Sequence, residues 1–211
     1  MIVQEWIEQR RGRYLENAIR LKHLKISARD LTAFAICTPQ QSYEMAAKQF
    51  KHWQKSGVVV GNLRVYRQAW LDVLGDSMFL KRKPVQFTGR VVTQETGQKW
   101  AGRLQERVRG LGPIKAAFTT CLIEPMALDL NVCIDIHMLR FLSLPTQDWR
   151  ITQTSYTKTL VMAAQEWVRV CAREWDIPPF VYQWCVWDWQ RSGGETARFY
   201  TVTNIAKDLE V

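Results

Sequence analysis

Apolar residues recur at intervals of three and four along most of the chain, the spacing of helices that bury one face. Tyr43, Ala46, Ala47, Phe50 and Trp53 make one such face, with Ser42 placed to cap it. Leu63, Tyr66, Trp70 and Val73 make a second, and Trp100, Leu104 and Val108 a third, with Thr96 ahead of it as a cap. Leu160, Ala164, Trp167, Val168, Cys171 and Trp175 make a long fourth, stopped by Pro178 and Pro179. Period-two alternation is scarce, and the apolar run Val58 to Val60 is too short for a sheet core. The pattern predicts an all-α chain.

Helix breakers set the organisation. Gly57 and Gly61 separate helices, the stretch from Lys83 to Gly97 reads as a long exposed loop, and Pro145 to Thr154 forms another joint. There is no internal repeat and no low-complexity tract. The apolar runs, such as Phe180 to Val186, are too short to span a bilayer, and Glu5 and Glu8 interrupt the start of the chain. A soluble, cytoplasmic protein with no membrane partner is expected. Its length of 211 residues suits one domain or two small helical lobes sharing an interface.

Composition adds three points. Five cysteines, an odd number without a C-x-x-C pair, read as free buried thiols rather than disulfides or a zinc site. Ten tryptophans are many for this length, and the cluster Trp184, Trp187, Trp189 is assigned to core packing. Charge is concentrated: Met78 to Lys115 holds nine lysines and arginines against Glu95 and Glu106, which gives +7 of the net +9. Such a block suits a polyanion, although alone it separates neither DNA from RNA nor either from an anionic membrane.

The segment Trp100 to Leu142 is the most specific part of the chain. A basic amphipathic helix bearing Arg103, Arg107 and Arg109 leads into Gly110-Leu111-Gly112. Pro113 then opens a second helix whose apolar face is Ile114, Ala117, Phe118, Cys121 and Leu122. Two glycines around one apolar residue permit a tight turn with positive backbone angles. The uncapped amides beginning the second helix favour an anion such as phosphate. Further on comes Cys133-Ile134-Asp135-Ile136-His137-Met138, with Asp135 placed to cap a helix from Ile136 to Leu142.

The pair of elements, a G-h-G hairpin followed by Ile134-Asp135-Ile136-His137, resembles the helix-hairpin-helix superfamily of DNA glycosylases. The resemblance covers residues 100–142 directly, with a weaker echo at Cys37-Thr38-Pro39-Gln40-Gln41-Ser42. It implies a two-lobed helical bundle with the active-site cleft between the lobes. Residues 30–142, including a hairpin at about 98–124, would form the core lobe, and 1–29 with 143–211 the second, within one unit spanning 1–211. The resemblance also implies that duplex DNA is gripped by Gly110, Leu111, Gly112, Ile114 and Lys115, with Arg103, Arg107 and Arg109 alongside. A monovalent cation would sit on the backbone of 110–114, with no side-chain metal ligands. Gln41 would enter the gap left by an extruded base, or stay in solvent.

Asp135 takes the catalytic role in this resemblance. Breaking an N-glycosidic bond builds positive charge on the sugar, which a fixed carboxylate in a desolvated site stabilises. The carboxylate can also orient or deprotonate the attacking water. His137 matches the family histidine, in a supporting or a purely structural role. Members that also cleave the strand carry a Schiff-base lysine two residues after the second glycine, but here that position is Ile114 and Lys115 follows it. One residue along a helix turns a side chain by roughly 100°. Lys115 is therefore expected to point at backbone phosphate, or to support catalysis if the hairpin is one residue longer than usual, and the enzyme is expected to be monofunctional, with water as nucleophile. No four-cysteine cluster for iron-sulfur follows the core, and no cofactor is expected.

The sequence thus leads to a monomeric DNA glycosylase that flips and excises a damaged or modified base. Two alternatives stand beside it. One is a phage-type hypermodification transferase on the same scaffold, substituting an activated thymine in DNA. The other is a hairpin protein that only binds DNA.

Overall fold

The computed structural model describes residues 2–38, 43–56, 102, 105–106, 108, 111–128, 132–142, 158–193 and 205–210. Among them are eight helices and no strand. These are α1 (Val3–His23), α2 (Ala28–Cys37), α3 (Tyr43–Ser56), α4 (Pro113–Ile123), α5 (Ile136–Leu142), α6 (Lys158–Glu174), α7 (Pro179–Ser192) and α8 (Ile205–Leu209). The all-α expectation holds for the described residues. The sequence-predicted helix Leu63 to Val73 lies outside them, as do most of the Trp100 to Val108 helix and its proposed cap Thr96.

Local signals explain the boundaries. Ser27 caps α2: its Oγ accepts the Asp30 amide at 3.0 Å and donates to the Asp30 carboxylate at 2.7 Å. Helix α6 ends in a Schellman turn, in which the Ile177 amide donates to the Ala172 carbonyl and the Asp176 amide to that of Arg173. Asp176 occupies the left-handed position with φ 51°, where aspartate is among the better-tolerated side chains. The prolines that the sequence marks as a stop also make a start. Pro179 is the first residue of α7, where its missing N–H costs nothing. Gly193 closes α7 with φ 64°, its amide donating to Trp189.

Helix α7 organises the core. Every residue from Pro179 to Asp188 is buried, so the helix has no solvent stripe and must be wrapped by others. Helices α1, α5 and α6 pack on it; α4 packs on α2 and α1, and α3 lies against α2 and α8. One hydrophobic cluster runs through all eight helices, from Trp6 and Phe34 through Phe50, Phe118, Met138 and Val168 to Trp184 and Leu209. Two buried polar links pin α1 within it. The Tyr14 hydroxyl donates to Asp188 of α7 at 2.9 Å, and Asn17 accepts the Ala206 amide of α8 at 3.0 Å. All five cysteines are free thiols, four of them buried. No helix of the described residues is long and apolar enough to cross a membrane.

Candidate functional site

Val132, Cys133 and Ile134 run buried into Asp135, anchored where Gln165 of α6 donates to the Val132 carbonyl at 3.3 Å. Asp135 then caps α5. Its Oδ1 accepts the amides of His137 at 3.0 Å and Met138 at 3.1 Å, and its carbonyl accepts the Leu139 amide. The other oxygen, Oδ2, accepts the indole N–H of Trp187 at 2.6 Å. A carboxylate offers about four lone-pair directions, so three donors leave roughly one on Oδ2 for an incoming group. Asp135 itself is only partly buried. The capping role that the sequence suggests is therefore real, and it fixes the carboxylate.

Trp187 is the pivot of the site. Its ring centroid lies 5.3 Å from that of Tyr43 and 5.5 Å from that of His137, the latter edge-on at 80°. The Arg191 guanidinium stacks over Trp187 at 4.3 Å. Tyr43 in turn contacts Phe34 and Phe118. Burial, and after it the neighbouring Cys133 and Asp135, keeps the Tyr43 hydroxyl protonated well above its usual range. Burial also lowers the proton affinity of His137, against the pull of Asp135 and with a push from Arg191 and Arg140. His137 is therefore held toward its neutral form.

Lys115 departs from expectation. Instead of pointing at solvent and phosphate, its ammonium turns inward, donates to the Thr38 hydroxyl and sits 5.2 Å from the Phe118 ring centroid. The reason is the surroundings of α4: Ala116 through Ile123 are all buried, so the helix offers little solvent face for a side chain in its first turn. Thr38 completes the arrangement by donating its own hydroxyl proton to the Ala35 carbonyl at 2.8 Å, which leaves its oxygen as acceptor. Burial lowers the Lys115 pKa, while Cys133 and Asp135 act in the opposite sense. The lysine thus belongs electrostatically to the Asp135 cluster.

The second glycine of the hairpin also differs from expectation. Gly112 is the N-cap of α4 with φ −69° and ψ 172°, extended backbone rather than a positive-φ turn. A Cβ built there would meet nothing within 4 Å. No side chain caps α4, so the amides of Ile114 and Lys115 begin the helix without a side-chain acceptor. Leu111 is buried and its amide donates to the Val108 carbonyl at 3.1 Å. Ile114 is half-buried against the core. Gln41, Arg103, Arg107, Arg109 and Gly110 lie outside the described residues.

Asp135, His137 and Lys115 are therefore brought together, joined by four residues that the sequence reading did not assign to the site: Thr38, Tyr43, Trp187 and Arg191. A signal for Trp187 existed, since a buried indole N–H demands an acceptor, but periodicity does not say which. Among the described residues no group of three His, Cys, Asp or Glu side chains could hold a metal ion. Comparison with protein-family models, with curated proteins and with solved structures finds no match to this chain.

Proposed function

We propose that this chain is a DNA-acting enzyme of the glycosylase type, in which Asp135 supports cleavage of an N-glycosidic bond in a flipped-out nucleotide. The observation that carries the reading is the immobilised carboxylate: three donors hold Asp135 in place against Trp187 while one lone-pair direction stays open. A charge fixed before the substrate arrives needs little reorganisation as the sugar becomes cationic, and this preorganisation accelerates the reaction. The uncapped start of α4 at Gly112 supports a contact with DNA phosphate, in keeping with the basic sequence around it. The division into two lobes with a cleft between them, a monomeric state and action without a cofactor belong to the same proposal. Duplexes carrying a panel of damaged, mismatched and virus-type modified bases test it. Alkali-labile sites should form with at least one base, and none should form with Asp135→Asn.

The position of Lys115 favours a second reading. An inward amine of lowered proton affinity, linked to Asp135 through Phe118, Tyr43 and Trp187, suits a general base for an amine nucleophile, as a base-modifying transferase on this scaffold requires. Such an enzyme raises the mass of the strand and leaves no abasic site. The same position makes the monofunctional expectation worth testing by borohydride trapping. A covalent DNA adduct lost in Lys115→Ala would assign strand cleavage to the enzyme.

A further inference from the structure

Helices α1 and α6 both lean on α7, and the wedge between them is a half-open cleft of about 420 Å³, within the ~300–1,000 Å³ range of small-molecule sites. Its wall is aromatic: Phe141, Trp167, Trp175 and Tyr182, with the Cys171 thiol between them and the first turns of α1 opposite. Trp167 joins the wall together, its ring centroid 5.5 Å from that of Phe141 and 5.8 Å from that of Tyr182, at steep interplanar angles of 53° and 66°. None of its lining residues belongs to the cluster around Asp135.

Its charge is unusual for this protein. In a chain of net charge +9, the one ionisable group of fixed charge among the described residues lining the cavity is a carboxylate, Glu174. No salt bridge joins Glu174 to a basic side chain among the described residues, whereas Glu166, two turns earlier, holds Arg169 and Arg173. Glu174 is also the last residue of α6, where the helix dipole disfavours an anion, so helix stability does not account for it. Its charge reaches the wall: burial raises the pKa values of Cys171 and Tyr182, and Glu174 adds to the rise at Cys171 and, after Cys171 and Cys185, at Tyr182. Trp175 already carries a cation, the Arg11 guanidinium 5.5 Å from its ring centroid.

We propose that this wedge binds a small organic ammonium ion, held against the faces of Trp167 and its aromatic neighbours and balanced by Glu174. Ring faces carry negative potential that attracts a poorly hydrated cation, and the unpaired carboxylate supplies the counter-charge. An anion would meet Glu174 with no compensating donor from lysine or arginine among the described lining residues.

Choline and 3,3-dimethylbutan-1-ol have nearly the same shape and differ in charge, which makes them the test pair. Titrations followed by calorimetry and by the tryptophan indole N–H signals should show choline binding about tenfold tighter than the alcohol. The shifted signals should be those of Trp167 and Trp175. Glu174→Gln, an exposed and conservative change, should weaken choline about fivefold and leave the alcohol unaffected. Equal affinity for the two compounds, no saturable binding of choline, or a choline affinity that is unchanged by Glu174→Gln would each overturn the proposal. None of these readouts involves DNA, so the result is independent of the glycosylase reading.

Discussion

The indole N–H of Trp187 donates to Oδ2 of Asp135 across 2.6 Å, and this bond ties the loop before α5 to the central helix α7. A hydrogen bond to a charged group is worth about 1.5–3 kcal/mol, and here it also sets the direction in which the carboxylate faces. Trp187→Phe keeps the ring packing against Tyr43 and His137 but removes the donor. Single-turnover excision should fall roughly tenfold to a hundredfold with duplex binding retained, as read from rate and anisotropy measured on the same protein. An unchanged rate would separate Trp187 from the chemistry.

The ammonium of Lys115 is disfavoured by its burial. Its pKa is lowered by burial, so the native state holds this proton less well than the unfolded chain. The contribution is therefore most favourable above the unfolded value near 10.5 and declines as pH falls through the window down to the folded value. At neutral pH Lys115→Met should raise stability by about 1 kcal/mol, the pattern of residues kept for function at the expense of stability. Its advantage over the parent chain should shrink as pH rises toward 10. Thermal melts of the two proteins at pH 7 and pH 9.5 measure this.

Gly112 has ordinary backbone angles and open space at its Cβ position, so the fold does not require glycine there. Gly112→Ala should change the melting free energy by less than about 1 kcal/mol. If a DNA strand approaches this turn closely, the added methyl group should weaken duplex affinity about tenfold. Equal affinity of the two proteins would move the DNA grip elsewhere.

Tyr14 and Asp188 form a buried pair that clamps α1 beside the residue that positions Asp135. Tyr14→Phe removes one donor from the buried Asp188 carboxylate and should cost about 1–3 kcal/mol in urea denaturation. The urea slope should stay the same, because the surface exposed on unfolding barely changes.

The parts of this molecule that follow a helical period were legible in its sequence. Helices α3 and α6 declare themselves by one-sided apolar stripes, α4 by Pro113, and α5 by the aspartate that caps it. Helix α7 was not legible in this way, because it is buried on all sides and shows no stripe. Its tryptophans read as packing, which is true of Trp184, whereas Trp187 packs and also donates to Asp135. The direction of Lys115 was misread for a related reason. Counting residues along α4 gives an angle, but the neighbours of α4 decide which angles face water. Thr38 and Tyr43 join the site only through tertiary packing, which no local spacing encodes.

The charge of Asp135 can be tested without knowing the base. Duplexes carrying a pyrrolidine nucleotide, cationic at the sugar, are compared with duplexes carrying the neutral tetrahydrofuran analogue. The parent protein should prefer the cationic duplex roughly tenfold or more, and Asp135→Asn should bind both alike. Equal binding of the two duplexes by the parent protein would contradict the account.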